Sequence, residues 1–207
     1  MKRILLLSFI GLTITNCGSG SEENYEDVDL NQSLENLSAE INDPIWEFQS
    51  FEGQFEIEIP SQMSATDKLN PTAELQFGYT ERFMDEVKEN YIIILSDEYE
   101  AGKIPTGNEG LMPYAERSLD SLMVGKQSYE LLNKPAIDSV NGMSMVMQEV
   151  KATIALSDTN IVDVFYVTGI YQGAKAHYQI VSWTLFGQKD EFAKDMRRMV
   201  NSFKETN

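Results

Sequence analysis

The chain has 207 residues, 33 acidic against 16 basic, for a formal charge of −17, with one histidine and one cysteine. This balance argues against a nucleic-acid partner, because affinity for nucleic acid comes from Lys and Arg neutralising phosphates. A single cysteine rules out an intrachain disulfide, and one cysteine with one histidine cannot build a zinc cluster.

Lys2 and Arg3 precede an apolar run over 4–14 (ILLLSFIGLTI), too short to span a bilayer, which takes roughly 20 apolar residues. It ends in Ile14-Thr15-Asn16-Cys17. This stretch resembles a bacterial lipoprotein signal with its lipobox, in which the cysteine is acylated and becomes the mature N-terminus. Ile14 stands where Leu is preferred and Asn16 where Gly or Ala is preferred, a looser form familiar from lipoproteins of the Bacteroidota type. The expectation is a signal peptide over 1–16 and lipidation at Cys17. Acyl chains contribute ~0.8 kcal/mol per buried CH₂, so the chain is expected to be anchored to a membrane without spanning it. Its predicted place is the cell envelope, anchored to the outer membrane, with the domain either periplasmic or surface-exposed.

Residues 17–44 read as an acidic, flexible tether. Glu22, Glu23, Glu26 and Asp27 follow closely behind Cys17. They fit a solvated linker, and they also resemble the surface-export address of Bacteroidota lipoproteins. Leu30, Leu34, Leu37 and Ile41 recur at helical spacing, so 31–42 forms a candidate short helix that Asp43-Pro44 would end.

The folded domain is expected over 45–207. Strands are predicted at 45–51 and 54–59 around the turn Glu52-Gly53, with Phe55, Ile57 and Ile59 alternating against polar neighbours. Residues 61–71 read as a loop, 73–80 and 91–98 as strands, and 81–90 as a charged, solvent-exposed excursion. A helix follows, with Asn108 as its cap, Glu109 in its first turn and Gly125 at its end. Leu111, Ala115, Leu119, Leu122 and Met123 line one face of it. Strand-like segments come next at 129–132, 136–140 and 143–155, the last two joined by Asn141-Gly142, a strong hairpin signal. Two long strands at 161–171 and 176–186 turn at Gln172-Gly173. The last helix carries Phe192, Met196, Met199, Val200 and Phe203 on one stripe. Hairpin connections imply a mainly antiparallel sheet with helices packed on it, an α+β domain.

Two stretches carry a resemblance to a known family. The opening GQFEIEIPSQM (53–63) resembles the start of the PsbP-like domain, where a strand ends in proline before a small-residue loop. The ending from Ala176 to Glu205 resembles its close: an apolar-x-Trp-Thr strand, here Trp183 and Thr184, then a helix finishing in Ser-Phe, here Ser202 and Phe203. The family includes the photosystem PsbP subunits, the Ran-binding Mog proteins and the bacterial DcrB-type lipoproteins. The resemblance implies an α/β/α sandwich around an antiparallel sheet over roughly 45–204. It also implies a binding or assembly protein without catalytic residues. The metal-related roles of plant PsbP are not carried over, because no acid here matches such a site.

The residues themselves offer little chemistry. His177 lies in a predicted strand as a polar-face residue, and no Gly-x-Ser-x-Gly elbow accompanies it. Asp97, Glu98 and Glu100 follow a strand but lack the spacing of a cation loop. The run 102–110 (GKIPTGNEG) lacks the Gly-Lys-Ser/Thr ending of a phosphate loop. Met143, Met145 and Met147 alternate, a pattern that fits core packing better than soft-metal binding. The expected function is a non-catalytic, lipid-anchored envelope protein, with no cofactor, that binds or assembles with another protein. The alternative is a lipoprotein binding a small molecule or metal ion for envelope transport.

Overall fold

The computed structural model describes residues 44–206 except 85, 101–104, 106 and 158. The signal segment, Cys17, the acidic tether and the helix expected over 31–42 lie outside the described residues.

The sheet at the centre grows from antiparallel hairpins. β1 (Trp46–Phe51) and β2 (Phe55–Pro60) form the first. Glu52 and Gly53 both sit at positive φ in its turn. The short β3 (Ser64–Ala65) pairs with β4 (Leu75–Phe83), which pairs with β5 (Glu86–Glu98). Helix α1 (Leu111–Met123) crosses one face. β6 (Ser128–Leu131) and β7 (Ile137–Val140) then pair with different stretches of β8 (Met143–Ser157). β9 (Asn160–Gln172) and β10 (Ala176–Leu185) complete the sheet. One 3₁₀ turn leads into α2 (Lys189–Ser202), and β11 (Lys204–Glu205) adds to the edge of β2.

The large sheet runs in the order β3-β4-β5-β10-β9-β8-β6, with β7 also on β8; β1, β2 and β11 form a second, three-stranded sheet. Side chains alternate between faces along each strand, so the long strands feed two cores. Phe165, Val167, Tyr178 and Ile180 pack against Phe192, Met196, Met199 and Val200 of α2 and against Phe55 and Ile57 of β2. On the opposite face Val150, Val164, Tyr166 and Val181 meet Leu119 and Met123 of α1, while Val146 and Ile170 meet Leu111 and Ala115. The result is an α+β domain, a three-layer α/β/α sandwich around an antiparallel sheet.

The end of α2 is held by its own Ser202 and by side chains from elsewhere in the chain. A helix leaves its last four carbonyls without intrahelical partners. Here Ser202 Oγ donates to Met199 O (2.7 Å), Tyr171 OH to Val200 O (2.8 Å), and Asn141 Nδ2 to Asn201 O (3.1 Å). Asn141 (φ 52°) and Gly142 (φ 81°) also make the two-residue β7–β8 turn, the conformation that favours Asn-Gly. Phe203 follows the helix, fully buried against Phe55, Tyr171 and Tyr178. Gln188 extends the pairing edge of β5 beyond the end of β10. Its Oε1 accepts from the Glu89 N–H (3.0 Å), and its Nε2 donates to Val87 O.

Four sequence expectations change. The charged stretch 81–90 is paired strand up to Phe83 and again from Glu86; the Lys88 ammonium reaches Glu191 of α2 (2.7 Å), an ion pair that ties the hairpin to the helix. Asn108 does not cap α1. Its Oδ1 accepts from Ser144 Oγ (2.7 Å), and Gly110 holds the N-cap without a side-chain bond, which leaves Glu109 before the helix. The loop 61–71 contains β3. The chain end, read as the close of a helix, continues as β11.

Candidate functional site

Two features stand on the α1 face of the sheet. The first is a polar row at one end. Ser144, Gln172, His177 and Asp97 are successive cross-strand neighbours on β8, β9, β10 and β5. The register places all four on one face, because each shares the parity of residues that touch α1.

His177 occupies the centre of this row. Its ring stacks on Tyr114 from α1 (centroids 4.1 Å apart, 19° between planes) and meets Tyr99 edge-on (4.9 Å, 89°). Tyr114 OH donates to Asp97 Oδ2 (3.1 Å), and Tyr99 OH to Gly173 O (3.2 Å). Burial lowers the pKa of His177 against the opposing pull of Asp97. Burial, then the Asp97 charge, pushes Tyr114 up to about 12. Burial, then Glu205, pushes Tyr99 up to about 12. His177 Nε2 and Gln172 Oε1 are buried without hydrogen-bond partners among the described residues. An imidazole clasped by two rings, with its free nitrogen buried, is placed for packing; general-base work needs that nitrogen within reach of a substrate proton.

The second feature is a groove of about 420 Å³ between α1 and β6. Met112, Glu116 and Asp120, spaced by four, share a face of α1, as helical periodicity requires. Together with Leu119 they form one wall; Tyr129 and Leu131 of β6 form the other, beside Pro135. Gln148, 2% exposed, lies on the floor, its Oε1 accepting from Thr168 Oγ1 (3.2 Å). Tyr129 OH donates to Asp120 Oδ1 (3.3 Å) across the opening. Tyr129 and Leu131 are exposed apolar side chains along this margin. Among the described residues neither Glu116 nor Asp120 forms an ion pair. The arrangement is an apolar slot with an acidic rim.

The residues singled out by sequence do not converge on either feature as chemistry. Asp97 joins the polar row, but Glu98, next along the strand, points to the other face. No group of three His, Cys, Asp or Glu among the described residues could hold a metal ion. Met145 is buried and Met143 and Met147 pack beside it in the α2-facing core, as expected for packing methionines. Residues 101–104 and 106 of the glycine-bearing run lie outside the described residues, as does Cys17. The resemblance residues are structural. Trp183 stacks on Tyr91 (5.4 Å), and Thr184 Oγ1 donates to Glu89 O (2.6 Å). Ser202 also accepts from the Glu58 N–H (2.8 Å).

The groove itself was invisible in the sequence. Leu111, Ala115, Leu119 and Met123 appear there as the stripe that α1 buries, and the structure buries all four. Glu116 and Asp120 fall outside that stripe. The signal available was Met112 at the same four-residue spacing as those acids.

No family model matches the chain, and no curated protein matches it. Solved structures do. Cyanobacterial PsbP (CyanoP) from Synechocystis sp. PCC 6803 superposes with a TM-score of 0.53 at 14% identity, over 80% of this chain and 95% of its own. LpqN, described as involved in cell envelope biogenesis of Mycobacterium tuberculosis, superposes with a TM-score of 0.50 at 10% identity, over 89% and 99%. The Saccharomyces cerevisiae Ran-binding protein Mog1p gives 0.48 at 15% identity, over 78% and 96%. At these identities the first two establish a PsbP-like fold and nothing of function.

Proposed function

We propose that this chain is a non-catalytic protein of the cell envelope, anchored by lipid at Cys17, whose PsbP-like domain binds another protein. The observation that carries the reading is the α1–β6 groove, with its apolar walls and its two acids outside any ion pair among the described residues. The clasped position of His177 supports a non-catalytic role. The lipobox-like Ile14-Thr15-Asn16-Cys17 supports the anchor, and the envelope role described for LpqN supports the location. No helix among the described residues is long and apolar enough to cross a membrane.

The test has two arms in cells expressing the full chain. Metabolic labelling with an alkyne fatty acid should tag the protein and fail to tag Cys17→Ser. In-cell crosslinking followed by pull-down should recover a stoichiometric protein that Glu116→Lys with Asp120→Lys loses. No label and no such partner would overturn the proposal. The groove volume also falls within the range of small-molecule sites, which favours a ligand-binding lipoprotein as the second reading. Native mass spectrometry of the purified chain separates the two, since a small ligand adds a defined mass.

A further inference from the structure

The groove has a backbone feature that a small-molecule pocket does not need. Among the described residues β6 is the last strand of the large sheet, paired with β8 on one side only. The Leu132 N–H donates to Glu149 O (2.8 Å). In an antiparallel ladder alternate residues face the partner, so Ser128, Glu130 and Leu132 turn their backbone groups towards β8. Tyr129 and Leu131 therefore turn their N–H and C=O outward, away from the sheet. These are the two residues whose side chains line the groove. Open hydrogen-bonding groups and an apolar wall thus lie along one four-residue edge.

Native proteins commonly blunt such an edge with Lys, Pro or a covering element. β6 carries none of these within its own residues, Ser128-Tyr129-Glu130-Leu131. The groove side is acidic instead, with Glu116 and Asp120 on its rim; Glu130 within the strand lies opposite Lys151, whose ammonium pairs with Asp163 at 2.9 Å. A second copy of this chain, at −17, would bring the rim acids against their own equivalents, and like charges across paired strands destabilise them. A basic partner would meet them favourably.

We propose that an extended segment of a partner protein, alternating basic and apolar residues, adds to β6 as a new edge strand. Its backbone pairs with Tyr129 and Leu131. Apolar side chains on one face enter the slot lined by Met112, Leu119, Tyr129 and Leu131. Basic side chains on the other face reach Glu130, and those at the ends of the segment reach Glu116 and Asp120. Main-chain pairing gives the affinity, and the alternate side chains select the segment. This inference rests on the protein-binding reading above and specifies its mode.

The test uses the full chain in neutral detergent and a fluorescein-labelled octapeptide alternating Lys and Val, with a Glu–Val octapeptide as control. The Lys–Val peptide should bind saturably, weaken as salt rises, and slow hydrogen exchange over 128–132. Leu131→Pro removes an outward donor and spares the pairing with β8, a position where strand proline is tolerated; it should weaken binding about tenfold or more. Glu116→Lys with Asp120→Lys, both exposed on α1, should do the same, and this pair decides the matter if Leu131→Pro fails to fold. Equal binding of the Glu–Val peptide, undiminished binding by a folded Leu131→Pro chain, or protection confined to other strands would overturn the proposal. A cellular partner crosslinked away from 128–132 would overturn it while keeping the protein-binding reading. Loss of the lipid label with intact peptide binding would have the reverse meaning.

Discussion

Tyr178 OH donates to Glu205 Oε1 at 2.8 Å, tying strand β10 to the short strand that ends the chain. The same carboxylate accepts from the N–H groups of Ala174 (2.6 Å) and Lys175 (3.3 Å) in the β9–β10 turn. Burial, with Glu205 second, raises the pKa of the Tyr178 hydroxyl far above its ordinary value, so it remains a donor throughout the neutral range. Gly173 in that turn admits no side chain, since a Cβ would stand 2.6 Å from Tyr178 Cε2.

Glu205→Ala should therefore lower stability by about 1–2 kcal/mol, the cost of losing hydrogen bonds to a charged group. Glu205→Gln keeps an acceptor oxygen and should lose less. Denaturant midpoints of the three proteins check the order; an alanine variant as stable as the parent would mean that the chain end contributes nothing.

Arg197 of α2 grips Glu149 of β8 through two bonds, Nε to Oε1 at 2.6 Å and Nη2 to Oε2 at 2.9 Å. The Arg197 hydrogen bonds hold the Glu149 carboxyl below its ordinary value against its desolvation. A carboxylate whose folded pKa is depressed adds stability above its unfolded pKa and loses it as pH falls through the folded one. Stability from this pair should be present above about pH 4.5 and decline below it. Glu149→Gln should lower stability at pH 7 by about 1 kcal/mol, since Arg197 is partly exposed, and flatten the acid limb of a melting-temperature profile.

His177 titrates with the same directional logic in a different window. Burial depresses its pKa, so the unfolded chain takes up the proton first. Stability should fall as pH drops below about 6.5 and stop falling once the folded pKa is passed. Asp97 opposes the shift and Arg117 reinforces it, so the effect is bounded. His177→Gln should remove the slope that sets in below about pH 6.5, and an imidazole NMR titration at or above the unperturbed value would contradict it.

Gly169 lets α2 lie close on β9. A Cβ there would stand 2.5 Å from Val200 Cγ1 and 3.2 Å from Tyr171 Cε2. Gly169→Ala should cost about 1–3 kcal/mol by overpacking. Adding Val200→Ala should recover part of that loss, giving a double-mutant coupling larger than about 0.5 kcal/mol. Strict additivity in chemical denaturation would show that the helix simply moves.

Local patterning was readable without any coordinates. The alternation in Phe55-Glu56-Ile57-Glu58-Ile59, the Asn141-Gly142 turn and the stripe from Phe192 to Val200 each commit a segment by spacing alone, because periods of 2 and 3.6 bury different faces. Together they yield an antiparallel α+β domain. The acidic charge and the N-terminal stretch ending at Cys17 also belong to the sequence alone. Tertiary structure decided which surfaces met. Strand pairing of 81–83 with 86–88, tied down by Lys88 on Glu191 of α2, turned a charged excursion into a hairpin, and Asn108 bonds Ser144 instead of capping α1. The placement of β6 beside α1 made Glu116 and Asp120 the rim of a slot. These are contacts between residues far apart in the chain, set by register and packing, and a one-dimensional pattern records which face a side chain takes but not what lies across from it.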